Sequence, residues 1–347
     1  MAVIINMNKE KYIAELKSLL AEKGENEKDI LAAAKYADNL ISLKLPVIFD
    51  KNHFAALIGI KLVELTAILS YLEENYYRRV EIEKKDGGTR ELLIPAMKLR
   101  LIQQWILKNI LYSIHISDHA TGFRKGHSIV TNAKPHLGKK CLVNMDLKDF
   151  FPSINQKQIF QIFYYYGYTI SVSYMLSRLC TYEGYVPQGA PTSPYLSNIV
   201  CLKLDKRLSK LSEQYEADYT RYADDMTFSG NRCLKNIILP VTEIVEDEGF
   251  LVNVNKTRIQ MAHQRQEVTG VNVSGQKLTV RKKYKKKMFQ ELYYCKKYGP
   301  TNHLKHIGCN KRFYKDHMYG KAFYIYMVEP DVGKEILKQL NEINWEK

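Results

Sequence analysis

The stretch RYADDMTFSG, residues 221–230, decides the reading of this chain. Strand-forming residues flank Asp224 and Asp225, which predicts a hairpin over 219–229 with both carboxylates at its turn. Neighbouring like charges raise each other's pKa and destabilise a shared site unless a cation neutralises them. Upstream, KKCLVNMDLKDFFPS (139–153) opens with an apolar, β-branched run over 142–147 that reads as a strand, with Asp146 at its end. If this strand lies beside the hairpin in one sheet, Asp146, Asp224 and Asp225 converge at one edge. Crowded carboxylates suit a hard divalent ion, and Mg2+ takes one or two carboxylates together with water and substrate phosphate. Two such ions roughly 4 Å apart clamp the attacking and leaving oxygens of a phosphoryl transfer. Taken alone, an Asp-Asp pair says little, because turns favour aspartate.

The chain has 347 residues, enough for two or three packed units, and its 46% hydrophobic content supplies a sizeable core. The net charge of +15 is uneven: residues 277–321 hold 14 Lys/Arg against Glu291 and Asp316, which is +12 of it. Such a face suits a polyanion, with nucleic acid ahead of a membrane surface. Cysteines 141, 180, 201, 233, 295 and 309 form no CxxC pair and read as reduced thiols of a cytoplasmic protein. His303, His306 and Cys309 lack a nearby fourth zinc ligand and are read as part of the basic face. The opening MAVIINMNKEK has too short an apolar run for a signal peptide, and no window approaches a membrane span, so no membrane partner is expected.

Apolar residues at three- and four-residue spacing predict helices from the start to about residue 75. RRVEIEKKDGGTRELLIP (78–95) then alternates around Asp86-Gly87-Gly88, a hairpin signal. LRLIQQWILKNILYSI (99–114) returns to helix, with Leu99, Ile102, Ile106 and Ile110 on one side. Further helices are predicted over INQKQIFQIFYYYG (154–167), about 194–213 and about 238–248, then strands over FLVNVN (250–255) and KTRIQM (256–261). The tail from 280 reads as basic helix: Tyr284, Met288, Leu292 and Cys295 make one apolar stripe, with lysines on the other faces. The expected division is a helical region 1–75, a central region 76–280 and a basic region 281–347.

YADD (222–225), DLKDFFPS (146–153), PQGAPTSP (187–194) and GFLVNVNKT (249–257) resemble, in order and spacing, the palm motifs of reverse transcriptases. KKDGGTRELLIP (84–95) and TGFRKGHS (121–128) resemble the fingers motifs of the same enzymes. NAKPH (132–136) fits the NAxxH signature and VTG (268–270) the VTG signature of retron reverse transcriptases. The resemblance covers roughly residues 75–345, with Val186 where leucine usually precedes the PQG, and the first 75 residues carry no such motif. It implies an α+β right-hand polymerase with fingers, a palm of antiparallel sheet plus helices, and a helical basic thumb.

Residue by residue, the resemblance implies that Asp146, Asp224 and Asp225 hold two Mg2+ ions, with the backbone carbonyl of Leu147 completing a shell. Lys256 resembles the lysine that protonates the departing pyrophosphate as general acid. Phe151 stands where the family places a bulky side chain under the sugar of the incoming deoxynucleotide, excluding a 2′-OH. Gln188 and Gly189 resemble the loop that lies against that nucleotide. Arg90, with Lys84 or Lys85, resembles the cations that hold the triphosphate through guanidinium or ammonium contacts. Nucleic-acid contacts are expected at Arg124 and at Lys282, Lys283, Lys285, Lys286 and Lys287. Asn132 and His136 serve either recognition of the cognate RNA or structure.

The implied activity is RNA-directed DNA synthesis from dNTPs on a cognate structured non-coding RNA, primed from an RNA 2′-OH. The product is RNA-linked single-stranded DNA, and the implied role is antiphage defence with a separate effector protein. No appended nuclease motif is present, so RNA trimming is expected from other proteins. Three alternatives stand beside this: an intron-like or abortive-infection reverse transcriptase, a nucleotide cyclase on a similar sheet, and a non-catalytic RNA-binding scaffold. The PQG loop, Lys256 and the basic tail argue against the cyclase, and the intact aspartates against the scaffold.

Overall fold

The computed structural model describes residues 9–83, 87–308 and 313–345; Lys84, Lys85, Asp86 and Cys309 lie outside them. The first helices are α1 (Lys9–Glu22), α2 (Glu27–Ser42), α3 (Lys51–Ile58), α4 (Leu62–Ser70) and α5 (Leu72–Asn75). Asn26 and Asp50 cap α2 and α3 by accepting the backbone N–H groups of Asp29 and His53. Strands β1 (Tyr77–Glu83) and β2 (Thr89–Pro95) pair antiparallel from Tyr77↔Pro95 to Glu83↔Thr89. Helix α6 (Met97–Asn109) buries Leu99, Ile102 and Ile106, as the spacing predicts.

The short helix α7 (Ile129–Ala133) precedes β3 (Cys141–Asp146), after which come α8 (Gln156–Tyr165), α9 (Ile170–Leu179), α10 (Ser193–Val200) and α11 (Leu202–Gln214). Strands β4 (Asp218–Tyr222) and β5 (Asp225–Gly230) form the hairpin, followed by α12 (Ile238–Asp247), β6 (Arg258–Met261), β7 (Glu267–Val268) and β8 (Val271–Asn272). The tail is α13 (Lys282–Tyr298), α14 (Pro300–His306), α15 (Tyr314–Val328) and α16 (Pro330–Asn341). No single helix among the described residues is long and apolar enough to cross a membrane.

Two expectations are corrected. The helix over 194–213 is two helices that break at Cys201. Residues 250–255 form no strand, only the single bridge Leu147↔Val252 and then a 3-10 turn over Val254–Lys256, because Asn253 turns both its amides onto Asp146. Helix α9 and the pair β7–β8 were not anticipated: ISVSYMLSRL is rich in serine and β-branched residues, and two-residue strands show no period.

The chain divides into two compact units, one of Met1–Asp118, Lys148–Lys206 and Asp247–Leu251, the other of His119–Leu147, Arg207–Glu246 and Val252–Lys347. The first holds α1–α6, β1–β2, and α8–α10. There the turn after Val186 docks on β2: the Leu93 N–H donates to the Gln188 carbonyl at 2.8 Å. Gly189 follows at φ 131, and a Cβ there would stand 2.6 Å from the Leu93 carbonyl oxygen, so only glycine fits. The second unit is built on a four-stranded antiparallel sheet in the order β4-β5-β3-β6. Strand β3 is buried along both faces, which explains its continuous apolar run. In the same unit Met288, Leu292 and Cys295 of α13 pack with Met318 and Ile325 of α15 and Ile336 of α16 around Val268 and Val271.

Candidate active site

The register of the sheet brings the carboxylates together. Strands β3 and β5 pair so that Asp146 stands opposite Asp225. The β4–β5 hairpin closes through Ala223 and Asp224 between the partners Tyr222 and Asp225. Ala223 has φ 58, a left-handed conformation that a residue with a β-carbon keeps only when its surroundings impose it. The fully buried Arg221 donates from Nη1 to the Ala223 carbonyl at 2.9 Å. Leu147 donates its N–H to the Asp224 carbonyl at 3.0 Å. Gly122 comes so close that a Cβ there would lie 2.8 Å from the Ala223 nitrogen.

Asp146 is nearly buried and accepts from the Lys256 ammonium at 2.9 Å and from Asn253 Nδ2 at 3.2 Å. Its backbone carbonyl also accepts the Asn253 N–H at 2.7 Å. The 3-10 turn Val254–Lys256 sets Asn253 and Lys256 three residues apart, both aimed at one carboxylate. The hydrogen bond to Asp146 pushes the Lys256 pKa up, and the charges of Asp146, Asp224 and Asp225 add to it, so this lysine is a firmly held ammonium. Asp225, at the solvent rim, is pushed up to about 6, first by desolvation and then by the charges of Asp224 and Asp146; Lys256 opposes the shift.

That donor set fits a divalent cation. One carboxylate is pushed toward protonation by desolvation and then by its charged neighbours, and an ammonium already serves the most buried of the three. Among the described residues, no three His, Cys, Asp or Glu side chains stand close enough to hold a metal unaided. A site of this kind takes its remaining ligands from backbone, water and substrate.

The other predicted residues fall in several places. Phe150 is buried, its ring 5.9 Å from Phe250 and 5.3 Å from Phe151, while Phe151 is only half-buried. Gln188 is half-buried and Gly189 exposed, in the turn docked on β2. Arg90 is exposed on β2 opposite Ile82, and Arg124 is half-buried. On α13, Met288, Leu292 and Cys295 face inward and Lys282, Lys283, Lys286 and Lys287 face solvent.

Three residues named for nucleic acid, Lys285, Asn132 and His136, bond within the protein. Lys285 points at Glu329 (2.7 Å), which also accepts the Val280 N–H, so this lysine ties α13 to the α15–α16 junction. Asn132 and His136 are fully buried and have no face to offer an RNA. Asn132 accepts from the Thr121 hydroxyl at 2.6 Å and donates to the Thr269 hydroxyl at 3.4 Å. The His136 ring nitrogens bond the hydroxyls of Ser229 (2.7 Å) and Thr220 (2.8 Å) on the β4–β5 hairpin. The NAKPH and VTG stretches therefore meet, and Tyr324 of α15 joins them by donating to the Gly270 carbonyl at 3.1 Å.

Arg221, Gly122 and Asn253 were missed by sequence reasoning. A charged residue in an otherwise inward-facing run was the one available sign for Arg221.

Comparison with known proteins agrees with this geometry. Residues 82–277 match the family of reverse transcriptases, RNA-dependent DNA polymerases. The chain is 32% identical over 321 residues to the retron Ec86 reverse transcriptase of Escherichia coli, covering 90% of this chain and 96% of that one. It is 33% identical over 303 residues to the retron Mx162 reverse transcriptase of Myxococcus xanthus, covering 77% of this chain and 61% of that one. The retron Ec83 reverse transcriptase of Escherichia coli is 26% identical over 298 residues, 80% of this chain and 91% of its own. The antiparallel sheet with its aspartate edge is thus a polymerase palm, in a family that works with divalent metal ions. The chain belongs to the retron reverse transcriptases and is an RNA-directed DNA polymerase.

Proposed function

We propose that this enzyme copies a cognate structured non-coding RNA from an RNA 2′-OH into RNA-linked single-stranded DNA, in the cytoplasm, as part of an antiphage system with a separate effector protein. The observation that carries the catalytic reading is the pairing of Asp146 with Asp225, with Asp224 in the adjoining turn. Asp146, Asp224, Asp225 and the Leu147 carbonyl are the groups assigned to two Mg2+ ions. When bound, the metal neutralises the crowded carboxylates and stabilises charge on the reacting phosphoryl oxygens.

The protein's own groups have the remaining tasks. Lys256 holds a proton beside Asp146 and is assigned to deliver it to the leaving pyrophosphate. Phe151 is assigned to exclude a ribose 2′-OH, and Gln188 and Gly189 to lie against the incoming dNTP. Arg90, and Lys84 or Lys85, are assigned to the triphosphate. Arg124 and the exposed lysines of α13 are assigned to phosphates of the template–primer. A basic helix suits an A-form duplex, whose wide, shallow minor groove is read by shape and backbone.

Primer extension on an RNA template tests the catalytic assignment. Asp224→Asn and Asp225→Asn should each lower incorporation by about 100-fold or more, since each removes charge stabilisation in the transition state. Template–primer affinity should stay within a few-fold, because phosphate contacts elsewhere remain. Wild-type rates in either variant would sink the assignment. Sequencing the nucleic acid that co-purifies with the enzyme tests the retron product: RNA joined to DNA is expected, and unlinked host RNA alone would refute it.

A further inference from the structure

Residues 1–75 carry no catalytic motif, yet one of them reaches the loop that ends in Gln188. Glu73 of α5 binds the Arg178 guanidinium through both oxygens, at 2.5 and 2.6 Å. The same carboxylate accepts the backbone N–H of Glu183 at 3.2 Å. This fork-to-fork contact holds a planar group in one orientation. Arg178 hydrogen bonding depresses the Glu73 pKa, so the carboxylate stays charged.

Glu183 occupies a strained position. It has φ 49 in a tight turn closed by reciprocal Tyr182–Tyr185 backbone hydrogen bonds, the turn that leads directly into Pro187-Gln188-Gly189. A second tie arrives from β1: Arg79 donates to the Glu183 carboxylate at 2.9 Å and to the Tyr182 hydroxyl at 3.2 Å. Beyond the turn, Val186 donates to the Ile154 carbonyl at 2.9 Å, and Gln188 is met by Leu93. The loop is therefore tied at four places, and one of the fixing groups belongs to the helical N-terminal region.

We propose that Glu73 is a positioning residue for the nucleotide pocket: through Arg178 and the Glu183 N–H it sets the loop that presents Gln188 and Gly189 to the incoming dNTP. This rests on the reading of those two residues as nucleotide-facing. It gives the N-terminal helices a catalytic consequence without a contact to substrate.

Steady-state extension of an RNA–DNA template–primer by the full chain separates positioning from simple stability. Glu73→Gln keeps the size but loses the charge-assisted fork. Its KM for dNTP should rise roughly tenfold, the mark of lost binding that ground state and transition state share, worth about 1.4 kcal/mol. Both kcat and template–primer Kd should stay within about twofold. Arg79→Gln, at a largely exposed side chain that tolerates change, should raise the same KM by a smaller factor. If both variants fold and neither moves KM, the positioning role is wrong, even where the melting temperature falls. Gln188→Ala distinguishes the two layers of the argument. If it leaves KM unchanged, the nucleotide-facing reading itself fails; if it raises KM while Glu73→Gln does not, only the positioning role fails.

Discussion

Phe150 and Phe151 are chemically identical neighbours with different surroundings. The first packs on Phe250 in the core; the second is only half-buried. A ring that is only half-buried can gate a substrate by steric exclusion without collapsing the core when it is trimmed. Phe151→Ala should therefore lower discrimination against ribonucleotides by roughly tenfold or more, while retaining part of the dNTP activity. Competition assays with paired rNTP and dNTP read this ratio, and an unchanged ratio would put the gate elsewhere. Residues of this kind are legible in sequence because their neighbours form short, ordered motifs. Arg221 and Asn253 are not, because their roles depend on register and turn geometry. Nothing in the spacing shows that Arg221 reaches the Ala223 carbonyl or that Asn253 folds back onto Asp146.

At the scale of elements, α13 shows how far periodicity carries. Its apolar stripe was readable and does face the core. The lysine run was readable only as a crowd, because spacing cannot say which cation a distant acid will claim. Glu329, 44 residues away at the α15–α16 junction, claims Lys285. The four remaining lysines of the run face solvent, available to displace counterions from a duplex. Replacing Lys282, Lys283, Lys286 and Lys287 with glutamine should weaken template–primer binding and flatten its salt slope by nearly one unit for each phosphate that is no longer neutralised. Discrimination among template sequences should hardly change, because phosphate contacts position without reading bases. Lys285→Gln should do the opposite: leave the slope alone and reduce stability by on the order of 1 kcal/mol, the worth of a charged hydrogen bond at a half-buried site. Titrations across salt concentration, alongside thermal melts, distinguish the two. An unchanged slope in the fourfold variant would mean a merely solvated face.

For the whole molecule, the helical start, the antiparallel hairpins and the aspartate edge were open to sequence reasoning. How segments more than a hundred residues apart share one buried cluster was not. Asn132 and Thr269, from the two retron signatures, touch each other, and His136 bonds both strands of the β4–β5 hairpin. Periodicity reports which face of an element is apolar, and it is silent about polar residues satisfied inside. His136 makes this cluster sensitive to pH. Burial pulls its pKa down to about 4, the nearby Lys139 adds to the fall, and Asp218 partly offsets it. In the fold the ring is neutral, one nitrogen donating to a hydroxyl and the other accepting. The unfolded chain titrates near the ordinary value of about 6.5. Above that pH neither state binds the proton and the group has no effect on stability. Below it the unfolded chain takes up a proton that the folded chain refuses, so stability is lost progressively as pH falls from about 6.5 towards 4. The full loss is on the order of 3 kcal/mol, at about 1.4 kcal/mol per pKa unit. Urea unfolding between pH 7.5 and 5 checks this against His136→Gln, whose amide bonds hydroxyls without titrating. The wild type should lose about 2 kcal/mol more than the variant over that range; parallel curves would show that His136 is not the group that titrates.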